Sequence, residues 1–147
     1  MDIIFYHLMH SRFEDVLPTL VERALARFGR VTIQCTSNEQ RDVIDTRLWV
    51  YSDESFIGHG TECDKYSSLQ PVFLTTGCEN PNDSKVRFLL EGAICSDISC
   101  YQRLVILFDD CDEEQLNLAR SQWKEYKAQN YDLTYWQQTK DRSWKKL

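Results

Sequence analysis

Residues Leu104-Val105-Ile106-Leu107-Phe108 form an unbroken apolar run, closed by Arg103 on one side and Asp109 on the other. Five residues are too few for a buried helix. A strand with no polar alternation must be covered on both faces, which is the condition of a central strand in a parallel sheet. The rest of the chain therefore has to supply helices for two sides, and crossovers to reach them.

The flanking patterns supply both. Asp2 to Leu8 reads as a buried strand through Ile3, Ile4, Phe5 and Tyr6. Pro18 is placed for the first turn of a helix. Leu17, Leu20, Val21, Ala24, Leu25 and Phe28 recur at helical spacing, and Gly29 provides the stop. Val31 to Cys35 is a second strand. Ser37 with Gln40 forms a capping box for a helix through Val43, Ile44, Leu48 and Trp49. From Val50 to Gln70 the pattern gives way to a polar stretch, with His59 expected at a loop tip between Gly58 and Gly60. Pro71–Thr75 and Val86–Leu90 read as strands on either side of a turn at Gly77–Asp83. Asp112 with Gln115 caps a helix to about Gln129, Tyr131–Trp136 is a last strand, and a basic tail occupies about 137–147. The expected fold is a single α/β domain over 1–147, three-layered, with a largely parallel sheet and right-handed crossovers.

Composition narrows the function. With 17 Lys and Arg against 23 Asp and Glu, the net charge is −6. A protein that grips phosphates directly needs a cationic surface, so strong DNA binding is disfavoured. No apolar run approaches the roughly 18 residues of a membrane helix, and no export signal opens the chain, so a soluble cytoplasmic protein is expected. The six cysteines (Cys35, Cys63, Cys78, Cys95, Cys100 and Cys111) include no C-x-x-C pair and read as reduced thiols, with no metal site.

A nucleotide-binding loop is missing from the expected positions. The first strand-to-helix turn, His7-Leu8-Met9-His10-Ser11-Arg12-Phe13, has no glycine, and neither does Cys35-Thr36-Ser37-Asn38. A pyrophosphate needs closer approach to the backbone than side chains at every position allow. A small nucleotide-binding α/β enzyme using His7, His10 and Asp109 is thus the alternative reading, not the leading one. His7 and His10 read as structural or surface residues. The acids Asp109, Asp110, Asp112, Glu113 and Glu114 read as helix caps before they read as magnesium ligands. The helix that follows places Leu116, Ala119, Trp123 and Tyr126 on its apolar face, with Arg120, Lys124 and Lys127 beside it. That pattern suits a solvated amphipathic helix, or a site for a ligand both anionic and apolar, such as a peptide carboxyl terminus.

Several short motifs occur in order along the chain. They are Phe5-Tyr6-His7-Leu8, Leu48-Trp49-Val50-Tyr51, Asp53 to Gly60, Gln70-Pro71-Val72 and Asn80-Pro81-Asn82. Val105 to Asp109, Ala119 to Lys124 and Leu133 to Gln138 complete the series. Together they resemble the DNA polymerase III chi subunit family from end to end. The resemblance implies a Rossmann-like fold with no cofactor and no catalytic residues. It implies an accessory subunit of the replicase clamp-loader complex that binds the acidic C-terminal tail of single-stranded-DNA-binding protein, which ends in Pro-Phe. It further implies a psi subunit or a repair helicase as second partner, and contact with DNA only through these proteins. By the same resemblance Trp49, Arg120, Trp123 and Lys124 form the tail pocket, with Lys127 beside it. Phe56 is then the contact for psi or another partner.

Overall fold

The computed structural model describes residues 2–50, 59–61, 72–80, 83–90, 92–95 and 98–146; at 14, 47–50 and 59–61 it describes the backbone alone. Among the described residues eight strands form one sheet: β1 (Asp2–Leu8), β2 (Val31–Gln34), β3 (His59–Thr61), β4 (Val72–Thr75), β5 (Val86–Leu90), β6 (Arg103–Asp109), β7 (Asp132–Gln138) and β8 (Trp144–Lys146). Their spatial order is β3-β4-β2-β5-β6-β1-β7-β8. Every pairing is parallel except β7 with β8. The helices among the described residues are α1 (Phe13–Phe28), α2 (Asn38–Val50) and α3 (Glu113–Ala128).

The apolar run behaves as its composition requires. Val105 and Leu107 of β6 enter a core that α1 and α2 cover with Leu17, Leu20, Val21, Ala24 and Ile44. Leu104, Ile106 and Phe108 enter a second core, covered by Ala119 and Tyr126 of α3. On β1, Ile3 and Phe5 join the α3 side while Tyr6 packs toward α1. The period of two sorts each strand between the two layers, and the fold is the expected three-layer, Rossmann-like α/β arrangement.

Three local expectations are corrected. Helix α1 begins at Phe13, so Pro18 stands inside it rather than in its first turn. Pro18 forfeits one helical hydrogen bond, but burial of Leu17, Leu20 and Val21 on the sheet holds the helix through that gap. Its end at Gly29 is as anticipated: φ is +81°, and the Gly29 N–H donates to the Leu25 carbonyl at 2.9 Å. His59 is not at a loop tip but opens β3, which pairs with β4 and gives that strand a second neighbour. The C-terminal residues do not trail away. Strand β7 runs on to Gln138, and a tight turn returns the chain as β8, where the Trp144 ring meets the Tyr6 ring edge-on at 5.0 Å.

One side chain inside β5 has no counterpart in the sequence pattern. Arg87 is completely buried, on the same face of β5 as Leu89. Each of its five N–H groups has an acceptor. Nε donates to Gln34 Oε1 at 3.0 Å, and Nη2 donates to Gln34 Oε1 at 2.7 Å and the Gly77 carbonyl at 2.5 Å. Nη1 donates to the Glu79 carbonyl at 3.1 Å and the Tyr101 hydroxyl at 2.9 Å. A buried cation is tolerable when its donors are all satisfied. This one ties the 77–79 turn and the segment before β6 to the middle of the sheet.

Two expectations follow from this cluster. Replacing Arg87 with Met leaves two carbonyls, an amide oxygen and a phenol without their partner. It should lower unfolding stability by about 3 kcal/mol or more in urea titrations. Burial also pushes the Tyr101 phenol up to about 12, against the pull of the Arg87 guanidinium. Because the folded state holds that proton more tightly than the unfolded chain does, the stabilisation is complete below pH 10 and is lost as pH rises toward 12. Tyr6, Tyr126 and Tyr135 are shifted upward by burial as well. The urea midpoint should therefore fall through that alkaline window, less steeply in Tyr101→Phe.

Candidate functional site

The two crossovers that leave the neighbouring strands β1 and β6 part company. From β1 the chain passes through α1 to β2 on one face; from β6 it passes through α3 to β7 on the other, in the opposite direction along the sheet. Such a divergence opens a crevice at the carboxyl ends of the two strands. A cavity of about 460 Å³ lies there on the α3 side, lined by His7, Phe108, Asp110, Leu116, Ala119, Arg120, Trp123, Lys124 and Tyr135. That size is sufficient for a small ligand or a side chain with its backbone.

Helix α3 is aimed at this crevice by its cap. Asp112 Oδ1 accepts from the Glu114 and Gln115 N–H groups at 3.0 and 3.3 Å. Gln115 reaches back so that its Oε1 accepts from the Asp109 N–H at 3.0 Å, and Asp109 Oδ1 accepts from the Cys111 N–H at 2.9 Å. Asp109 and Asp112 are thus engaged in turn and cap, as the capping interpretation of the acidic cluster has it. One turn on, Leu116, Ala119 and Trp123 face the sheet. The Trp123 indole is fixed by edge contacts to Phe5 (centroids 5.3 Å) and Tyr135 (5.9 Å). Arg120 and Lys124 are exposed at the rim, and neither makes a hydrogen bond or ion pair with another described residue.

The far wall is a hydrogen-bonded chain. The His7 ring lies on Phe108 (centroids 4.7 Å, 19° between planes). Its Nε2 is 2.8 Å from Asp110 Oδ1, and its Nδ1 is 2.7 Å from the Tyr135 hydroxyl. With Nε2–H donating to the carboxylate, Nδ1 accepts from the phenol, so all three side chains are oriented. Burial pushes the Tyr135 phenol up, with Arg120 opposing that shift and Asp110 adding to it. The result is an apolar floor with a cationic rim and one carboxylate held aside by an imidazole. It can accept an apolar group that carries a negative charge.

Of the residues singled out from sequence, Arg120, Trp123 and Lys124 come together here. Lys127 is exposed in the last turn of α3 and does not line the cavity. Trp49 lies in the last turn of α2, its side chain outside the described residues, and Phe56 lies outside them altogether. Helix α2 itself sends Ile44 into the α1-side core and packs on α1, β3 and β4. Among the described residues, the rings that share the pocket with Trp123 are His7, Phe108 and Tyr135. Phe108 and Tyr135 escaped sequence reasoning as pocket residues, and His7 and Asp110, read there as a structural or surface histidine and a member of the capping cluster, were not expected to meet here. Only the parallel register, which sets His7 beside Phe108 and Gln137, brings them to one place.

Residues 1–134 match the family described as DNA polymerase III chi subunit, HolC. The chain belongs to that family. A curated relative from Rickettsia prowazekii (strain Madrid E), named probable DNA polymerase III subunit chi, is 25% identical over 111 residues, covering 71% of this chain and 67% of the relative. The family match takes in β1, β6 and α3, and so nearly all of the crevice; Tyr135 and Gln138 lie just past it.

Gln138 explains what has become of the nucleotide position in this chi-family chain. In a dinucleotide-binding sheet the turn after the first strand directs its N–H groups at phosphate. Here the N–H groups of Met9, His10 and Ser11 all donate to Gln138 Oε1, at 3.2, 2.8 and 3.0 Å. Gln138 Nε2 donates in turn to Ser11 Oγ at 2.9 Å, and the side chain is buried. An amide oxygen thus stands where a phosphate oxygen would, which weighs against the nucleotide-enzyme alternative. Gln138→Ala should cost about 2 kcal/mol in urea unfolding, and ATP should not restore the loss in a thermal-shift assay.

Proposed function

We propose that this chain is a non-catalytic accessory subunit that receives the acidic C-terminal tail of single-stranded-DNA-binding protein in the Arg120 pocket and couples it to the replicase clamp loader. The observation that carries this reading is the placement of Arg120 and Lys124, two cations with no hydrogen bond or ion pair to another described residue, at the mouth of an apolar crevice floored by Phe108, Leu116, Ala119 and Trp123. A chain-terminal phenylalanine brings an aromatic ring and a carboxylate close together. The ring would enter the crevice and the carboxylate would accept from Arg120.

Burying such a ring is worth about 1.5–3 kcal/mol. A charge-assisted hydrogen bond to the terminal carboxylate adds roughly 1.5–3 kcal/mol. Lys124, with Lys127 further along α3, would attract the upstream acidic residues more loosely and in a salt-dependent way. After the cost of ordering the peptide, binding of about micromolar strength follows. Where several tails are presented together, effective concentration raises occupancy without further contacts. The net charge of −6 suits this role: the partner grips the DNA, and a local cationic rim on an acidic surface favours one docking site. A second contact, to a psi subunit or a repair helicase through the region of Phe56, would complete the link to the replicase or to repair.

A roughly 15-residue acidic peptide ending in Pro-Phe should change tryptophan fluorescence and saturate with a Kd on the order of 1–10 μM. Arg120→Ala should weaken it at least about tenfold, and Lys124→Ala less. Raising salt should weaken binding in both variants and in the parent. No saturation at high micromolar peptide would contradict the reading.

A further inference from the structure

Helix α3 carries a second groove on another flank. At 3.6 residues per turn, Leu118, Gln122, Glu125 and Gln129 form one stripe, well round the helix from Arg120 and Lys124. That stripe faces Ile94, Cys95 and Ile98 of the segment between β5 and β6, across a cavity of about 360 Å³. From Leu118 to Gln129 the helix advances roughly 16 Å, the length of about five residues of extended chain.

Two side chains in this groove are left unsatisfied. Gln122 is only 7% exposed, yet its amide makes no hydrogen bond with another described residue. Buried side-chain amides are paired in nearly all folded proteins. The amide is also within reach: among the described residues, the unpaired side-chain atom shut off from solvent is Arg103 Nε, whereas Gln122 opens on the cavity. Ile94 stands at the rim 59% exposed, although its carbonyl is fixed by the Gln34 amide at 2.9 Å. A water would answer part of the Gln122 amide and leave Ile94 in solvent. A peptide group answers both halves of the amide, because it offers a C=O and an N–H together, and its side chain can cover the isoleucine. Glu125 carries the one full charge among the described lining residues, so a nucleic-acid backbone is repelled and a Lys or Arg is favoured.

We infer that this groove docks an extended segment of a partner protein. One peptide group of that segment pairs with the Gln122 amide, an apolar side chain packs on Ile94 and Ile98, and a neighbouring Lys or Arg meets Glu125. The groove is separate from the Arg120 pocket, needs no free chain terminus, and stands whether or not that pocket receives an acidic tail.

The test is a selection of random heptapeptides, displayed on phage without a free carboxyl terminus, against the full chain. Enriched sequences are then made as peptides capped at both ends and titrated by fluorescence anisotropy. They should carry an apolar residue within two positions of a Lys or Arg and bind with a Kd on the order of 10–100 μM. Gln122→Leu should weaken them about tenfold. Glu125→Lys, at an exposed position that leaves the core intact, should do the same. N-methylation of one backbone amide in the peptide should abolish binding in the parent protein, which tests the peptide group even where Gln122→Leu fails to fold. Arg120→Ala should change nothing. No enrichment, enrichment of acidic sequences, or binding that survives Glu125→Lys and every N-methylation would overturn the inference, as would a dependence on Arg120. Single-stranded oligothymidine that binds the parent and is lost in Glu125→Lys or Gln122→Leu would assign the groove to nucleobases and overturn it as well.

Discussion

When neighbouring parallel strands send their crossovers to opposite faces, the sheet cannot close over their carboxyl ends. Strands β1 and β6 are in that position, with α1 leading away on one side and α3 on the other. The gap between them is a consequence of topology, not of any one side chain, and the residues around it divide it into two halves. On the α1 side, Gln138 accepts three backbone N–H groups of the 9–11 turn and fills the place a phosphate would take. On the α3 side the crevice stays open, and its polar character is set by Arg120, Lys124 and the Asp110–His7–Tyr135 chain. One fold feature that serves nucleotide binding elsewhere is thereby filled on one side and left as an open crevice on the other.

The stiffness of that crevice comes from packing behind it. Trp123 is held between Phe5 and Tyr135, and His7 lies flat on Phe108. These rings cannot turn without disturbing the α3-side core. A crevice built this way is formed in advance, which would lower the ordering cost of the proposed peptide interaction. Further across the same face, Arg87 does similar work for the loops, holding the 77–79 turn by its carbonyls and the segment before β6 by Tyr101.

Much of this was legible in the residues. The apolar run of β6 predicted a central strand covered on both faces, and the caps at Ser37 and Asp112 located the starts of α2 and α3. Arg120, Trp123 and Lys124 stood out because helical periodicity is local, so three positions four residues or fewer apart can be placed on one side from sequence alone. What could not be read depends on long-range register. His7, Asp110 and Tyr135 are brought together by strand pairing across more than a hundred residues, and no local pattern encodes that. Gln138 looked like part of a polar tail because its partners are backbone groups, which carry no sequence signature. The start of α1 was misjudged for a related reason: a proline was taken as a local start signal, while tertiary burial of the residues around it extends the helix five residues upstream.

The proposed tail binding depends on a direct pairing between the Arg120 guanidinium and the free carboxylate of a terminal phenylalanine. A double-mutant cycle isolates that pairing: parent and Arg120→Ala proteins, each titrated by calorimetry with an acidic Pro-Phe peptide whose terminus is either free or amidated. A coupling energy of about 1.5 kcal/mol or more is predicted, with amidation costing little once Arg120 is gone. Two losses that simply add would contradict the account, because the carboxylate would then be held by some other group.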